Sequence, residues 1–99
     1  MSYQLLRTRA FDRSLRKFLD SHRDLHRRVA QVLRDLEADP YQPNLRLHAL
    51  RGELARTQAA RITYGYRITV SVDARSRVIT LLDIGATTTC IGSDNSDPR

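Results

Sequence analysis

The sequence predicts one α+β domain, a helical hairpin packed on one face of a mainly antiparallel sheet, with elements in the order β-α-α-β-β-β. Three observations carry this. Two consecutive segments repeat apolar residues at helical spacing: Phe11, Leu15, Phe18 and Leu19, then Leu25, Val29, Val32, Leu33 and Leu36. Residues spaced i, i+4, i+7 and i+8 share one side of a helix, so each segment presents an apolar stripe that must be covered. Residues 66–72 alternate instead, with Tyr66, Ile68, Val70 and Val72 on one face and Arg67, Thr69 and Ser71 on the other; this is the period of a half-buried strand. Finally, residues 78–84 are almost continuously apolar, as a central strand covered on both faces reads. A length of 99 residues with 40% apolar content supplies one two-layer core and little room for a second.

In order, residues 2–9 read as a short first strand. The two helices follow, with a break around residues 21–23 that makes them antiparallel. Ser21 and Asp24 have the spacing of a capping box for the second helix. Asp39-Pro40 ends that helix, because proline pushes its predecessor out of the helical region. Residues 40–44 connect to an alternating strand, 45–50. Arg51-Gly52 is a turn, and residues 54–63 form the next strand. Residues 73–76 turn the strand at 66–72 into the apolar run at 78–84. The domain is expected to span residues 1–92, with residues 93–99 a disordered tail.

Net charge is +6 and the pI about 10.4, which predicts an anionic partner such as nucleic acid or an acidic protein. All but one of the 17 basic residues are arginines, Lys17 being the exception. A GC-rich genome accounts for arginine over lysine, but not for the excess of positive charge. No apolar run approaches the roughly 20 residues that span a membrane, and basic residues interrupt the first twenty positions. The expectation is a cytoplasmic protein without membrane contact. Its one cysteine, Cys90, fits a reducing compartment. His22, His26 and His48 lack zinc-ligand spacing, so neither metal nor cofactor is expected. His22 and His26 read as solvated residues at a helix N-terminus.

An ordered set of short motifs then points to a family. Phe11 opens a basic helix; Asp24-Leu25, Val32 to Leu36, Asp39-Pro40, Leu47-His48-Ala49-Leu50-Arg51-Gly52, Ala60-Arg61-Ile62, Tyr66-Arg67-Ile68 and Leu81 to Gly85 follow in sequence. The chain resembles the RelE/ParE superfamily of toxins from type II toxin–antitoxin modules over residues 3–85, and the RelE/YafQ branch more than ParE. The resemblance implies a RelE/ParE-like fold and a ribosome-dependent, metal-independent mRNA endoribonuclease. In such enzymes the RNA's own 2′-hydroxyl attacks the adjacent phosphate. It further implies a cognate acidic antitoxin, with the ribosome and its mRNA as target and operator DNA reached only through the antitoxin. Two alternatives stay open: a ParE-like inhibitor of DNA gyrase, and a non-toxic antitoxin-binding co-repressor.

Residue by residue, Arg67 matches the family's phosphate-contacting arginine, Arg61 a basic position on the preceding strand, and His48 a polar position that is catalytic in some branches. These three are the candidate catalytic residues. An exposed cation paired with Asp83 is the competing reading of Arg67, and a surface histidine that of His48. Candidate RNA-binding residues are Arg13, Arg16, Lys17, Arg27, Arg46 and Arg51. Arg23, Arg28 and Arg34 add to the basic helix faces. Tyr64 and Tyr66 invite base stacking, although Tyr66 is in phase with the core residues Ile68 and Val70. Many RNA-cutting members carry proton-moving groups beyond the glycine matched by Gly85. Here that stretch is Ala86, Thr87, Thr88, Thr89, Cys90 and Ile91. A threonine hydroxyl hardly ionises at neutral pH and cannot serve as a general acid, so the expected active site is incomplete.

Overall fold

The computed structural model describes residues 2–49 and 57–86. Strand β1 (Gln4–Arg7) leads into helix α1 (Arg9–Ser21). A 3₁₀ turn (Arg23–Leu25) joins it to helix α2 (His26–Ala38). After a second 3₁₀ turn (Pro43–Leu45) come β2 (His48–Ala49), β3 (Gln58–Thr63), β4 (Tyr66–Asp73) and β5 (Val78–Ala86). The five strands form one sheet in the order β1-β5-β4-β3-β2. Three of its pairings are antiparallel, but β1 runs parallel to β5. The sheet is therefore mixed: the first strand enters beside the last, and the two helices form the crossover on one face.

The apolar stripes bury as the spacing demands. Phe11 and Phe18 from α1 and Val29, Val32 and Leu36 from α2 meet Ala60, Ile62, Ile68, Val70, Ile79, Leu81 and Ile84 of the sheet. Leu15, Leu19, Leu25 and Leu33 are half-buried at the margin of this core. Thr8 fixes the start of α1: its hydroxyl accepts from Phe11 N at 3.0 Å and donates to the Leu81 carbonyl at 2.8 Å. One side chain thus caps the helix and ties it to the central strand.

Several sequence expectations are corrected. The first strand is shorter than residues 2–9. Of the alternation at 45–50, strand is described only at His48–Ala49, because Leu45 lies in the 3₁₀ turn and is fully buried; Leu50 lies outside the described residues. The strand read at 54–63 is described from Gln58 onward; residues 54–56, like Arg51-Gly52, lie outside the described residues. Ser21 and Asp24 form no capping box: Leu25 holds the N-cap of α2 and no side chain caps it. The tail at 93–99 and the residues from Thr87 to Ile91 also lie outside the described residues.

Two bulges shape the sheet. In β5, Asp83 faces Thr69 but Leu81 faces Val70, so Leu82 is the extra residue. A bulge reverses the side-chain parity beyond it. Ile79 and Leu81 therefore share the core face with Ile84, three residues on, and the strand reads as an apolar run. In β3, Arg61 faces Arg67 while Thr63 faces Tyr66, so Ile62 is extra. The bulge frees the Ile62 carbonyl, and Arg28 Nε of α2 donates to it at 2.7 Å.

Candidate functional site

The β3–β4 hairpin builds the site. Ala60, Ile62 and Ile68 point into the core, so Arg61 and Arg67 alternate to the opposite face, directly across from each other. Like charges at opposed positions destabilise an antiparallel pair. Arg67 is moreover buried, at 8% exposure, and its Nε has no hydrogen-bond partner among the described residues. A guanidinium stays charged at any physiological pH, and leaving a charged group's donor unpaired costs on the order of 1–3 kcal/mol. This expense is explicable if an anion completes the site. Pairing of Arg67 with Asp83 is not observed: Arg67 faces Gly85 in the register, and an Asp83 carboxylate oxygen accepts from Ile84 N at 2.9 Å.

Around this pair lies a cleft of about 400 Å³, lined by Arg46, His48, Arg61, Thr63, Tyr64, Tyr66 and Arg67. It gathers all three candidate catalytic residues and one candidate RNA-binding residue. Arg46 adopts a left-handed backbone, φ 47° and ψ 44°. That conformation costs a non-glycine residue about 1–2 kcal/mol, and strain of this kind concentrates at functional sites. The kink also presents the Arg46 carbonyl, 2.9 Å from His48 Nδ1. A carbonyl only accepts, so Nδ1 is the donor; in the neutral tautomer with that proton, Nε2 is the nitrogen that can act as a base.

The remaining candidates fall elsewhere. Arg13, Arg16 and Lys17 line a shallow depression on the exposed face of α1 together with Arg9 and Asp12, and Arg27 is exposed on α2. None of these four lines the cleft. Arg51 lies outside the described residues. Lys17 also lines a groove with Ser14, Ser21, His22 and Tyr66, so Tyr66 forms a wall shared by groove and cleft.

His22 corrects an expectation. It is half-buried at the C-terminal cap of α1, not solvated at a helix N-terminus. Its ring stacks on Phe18 with centroids 4.4 Å apart. Nδ1 donates to the Phe18 carbonyl at 3.0 Å, and Nε2 accepts from the Tyr66 hydroxyl at 2.9 Å. The signal was present in the sequence: His22 is four residues beyond Phe18 and extends the same apolar stripe. His26 is exposed on the first turn of α2, as expected.

With this geometry established, solved structures provide the comparison. The chain is similar to a protein in the toxin–antitoxin complex RelBE2 from Mycobacterium tuberculosis. They share 27% identity, with a TM-score of 0.69 over 87% of this chain and 99% of that one. A YoeB/ParE toxin from Agrobacterium tumefaciens superposes with a TM-score of 0.70 at 14% identity, over 84% of this chain and 96% of that one. YafQ from E. coli gives 0.68 at 10% identity, over 91% and 99%; these last two likenesses concern the fold alone. No protein-family model and no curated protein sequence matches the chain. Two helices on this five-stranded mixed sheet define the RelE/ParE toxin fold. Together these likenesses support a RelE/ParE-superfamily toxin of a toxin–antitoxin system.

Proposed function

We propose that this toxin cuts mRNA on the ribosome without a metal ion, using the cleft between Arg46 and Arg67 to hold the scissile phosphate. The observation that carries the proposal is the buried, incompletely partnered Arg67 set opposite Arg61. Guanidinium forks match phosphate oxygens in geometry and charge. Two on one rigid hairpin stabilise the charge that builds on those oxygens as the phosphorane forms. His48 Nε2 takes the proton of the neighbouring 2′-hydroxyl. The 2′-oxygen–phosphorus bond forms and the phosphorus–5′-oxygen bond breaks. The products are a 2′,3′-cyclic phosphate and a 5′-hydroxyl, whose proton comes from water. General acid catalysis contributes about 10²–10⁴-fold where it operates, so an enzyme relying on water at this step is slow.

The proposed partner off the ribosome is an acidic antitoxin. Complexes of related folds, DinJ-YafQ from E. coli and YoeB-YefM from Staphylococcus aureus, support that reading. Arg13, Arg16, Lys17 and Arg27 lie outside the cleft, so their role is backbone contact with ribosomal RNA. Gyrase inhibition is the second reading, favoured by Thr87, Thr88 and Thr89, where RNA-cutting relatives carry proton-moving groups. Induction in a bacterial host separates the two. Cleavage predicts growth arrest with new mRNA 5′ ends, both abolished by Arg67→Ala. Arrest with intact mRNA and blocked supercoiling selects gyrase.

A further inference from the structure

Tyr64 stands apart from the other aromatic residues. It is 85% exposed, and it occupies the two-residue turn between Thr63 and Tyr66, which pair across the hairpin. A large ring in water at the hairpin tip contributes nothing to the core. It nevertheless has one partner, the Arg61 guanidinium 5.8 Å from the ring centroid, a cation–π distance. The same Arg61 faces Arg67 in the register, and Tyr64 lines the cleft with both. A cation site for phosphate and an open aromatic face are thereby bridged by one side chain.

We infer that Tyr64 is a stacking platform for one unpaired base of the RNA strand whose phosphate lies on Arg61 and Arg67. This rests on the mRNA-cleaving reading and adds to it a residue that recognises a base. A nucleotide offers the required pair of groups, an anion and a flat π-face, separated by a sugar. Arg61 covers part of the tyrosine ring and most of the remainder is open. The surroundings decide against an apolar peptide: Arg46, Arg61, Arg67 and His48 line the same cleft as Tyr64, a setting that suits an anionic chain. Stacking is tolerant of base identity, so Tyr64 selects unpaired RNA over duplex and favours the larger purine face.

The test uses ribosomes programmed with mRNA made uncleavable by a 2′-deoxy substitution. One series has all bases intact, and another has a single abasic nucleotide scanned through the exposed codon. The wild-type protein is expected to bind the intact message more tightly than one abasic version, by about 5- to 100-fold. Tyr64→Phe retains that preference. Tyr64→Ala loses it and binds both messages alike, with an unchanged unfolding midpoint because the side chain is exposed. Wild-type affinity of Tyr64→Ala for the intact message overturns the inference. So does a loss confined to antitoxin binding, which assigns the ring to the protein partner. If the wild type binds no programmed ribosome, the mRNA-cleaving reading itself falls and takes this inference with it. Failure at Tyr64 alone leaves wild-type binding intact.

Discussion

Arg67 concentrates the conflict between stability and function in this molecule. It is buried, its Nε lacks a partner among the described residues, and another arginine faces it across the hairpin. Replacing even a buried ion pair with apolar side chains of similar volume is often neutral or stabilising by about 1–4 kcal/mol, and a buried charge without an ion-pair partner has no such attraction to lose. Arg67→Met is therefore expected to raise the unfolding free energy by about 1 kcal/mol in urea titration while abolishing RNA cleavage. A loss of stability would show that Arg67 is satisfied within the fold and needs no anion. The identity of this residue was legible from the alternation of residues 66–72. Its burial was not, because alternation reports which face a side chain takes and not what closes around it. The role of His22 was missed for a related reason. Its place on the Phe18 stripe was readable, but Tyr66, which supplies its hydrogen bond, lies 44 residues on.

Among the elements, α1 depends on its first residue contacts. Thr8 both caps the helix and donates to the Leu81 carbonyl. Thr8→Ala removes a cap and orphans part of a carbonyl, and is expected to cost about 1–2 kcal/mol in urea unfolding; Thr8→Ser should recover most of that. The β4–β5 hairpin carries a pH signature. The Ser76 hydroxyl, then the Ser76 and Arg75 backbone N–H groups, hold the Asp73 carboxyl below its ordinary value of 3.8. A depressed carboxyl contributes stability above its unfolded value and loses it as pH falls through the folded one. Asp73→Ala should thus be less stable than wild type near neutral pH, and the gap should close as the pH drops below 3.8. Equal stability of the two proteins at neutral pH would dismiss the turn as a contributor. Element type was readable from periodicity, but detail was not. The bulge at Leu82 and the parallel pairing of β1 with β5 depend on which strand lies alongside, and no local pattern records that. The Ser21–Asp24 spacing likewise suited a cap, but the chain continues through a 3₁₀ turn to Leu25 instead.

For the molecule as a whole, the topology sets the helices against one face of the sheet and leaves the arginine pair on the other. The net charge of +6 draws the protein toward polyanions at long range, an attraction that weakens as salt rises. The cleft then supplies geometry that charge alone cannot. The RelE/ParE-like fold was legible because the short motifs occur in the order in which the fold uses them. The chemistry was less legible, since Arg61, Arg67 and His48 converge only once β2, β3 and β4 pair. The most direct test of the account incubates the purified protein with ribosomes carrying a defined mRNA, once with ribose throughout and once with 2′-deoxyribose at the cut nucleotide. Wild-type protein should cut the first message, leaving a 2′,3′-cyclic phosphate, and spare the second, while Arg67→Met cuts neither. A ribose message left intact by the wild type would contradict the account.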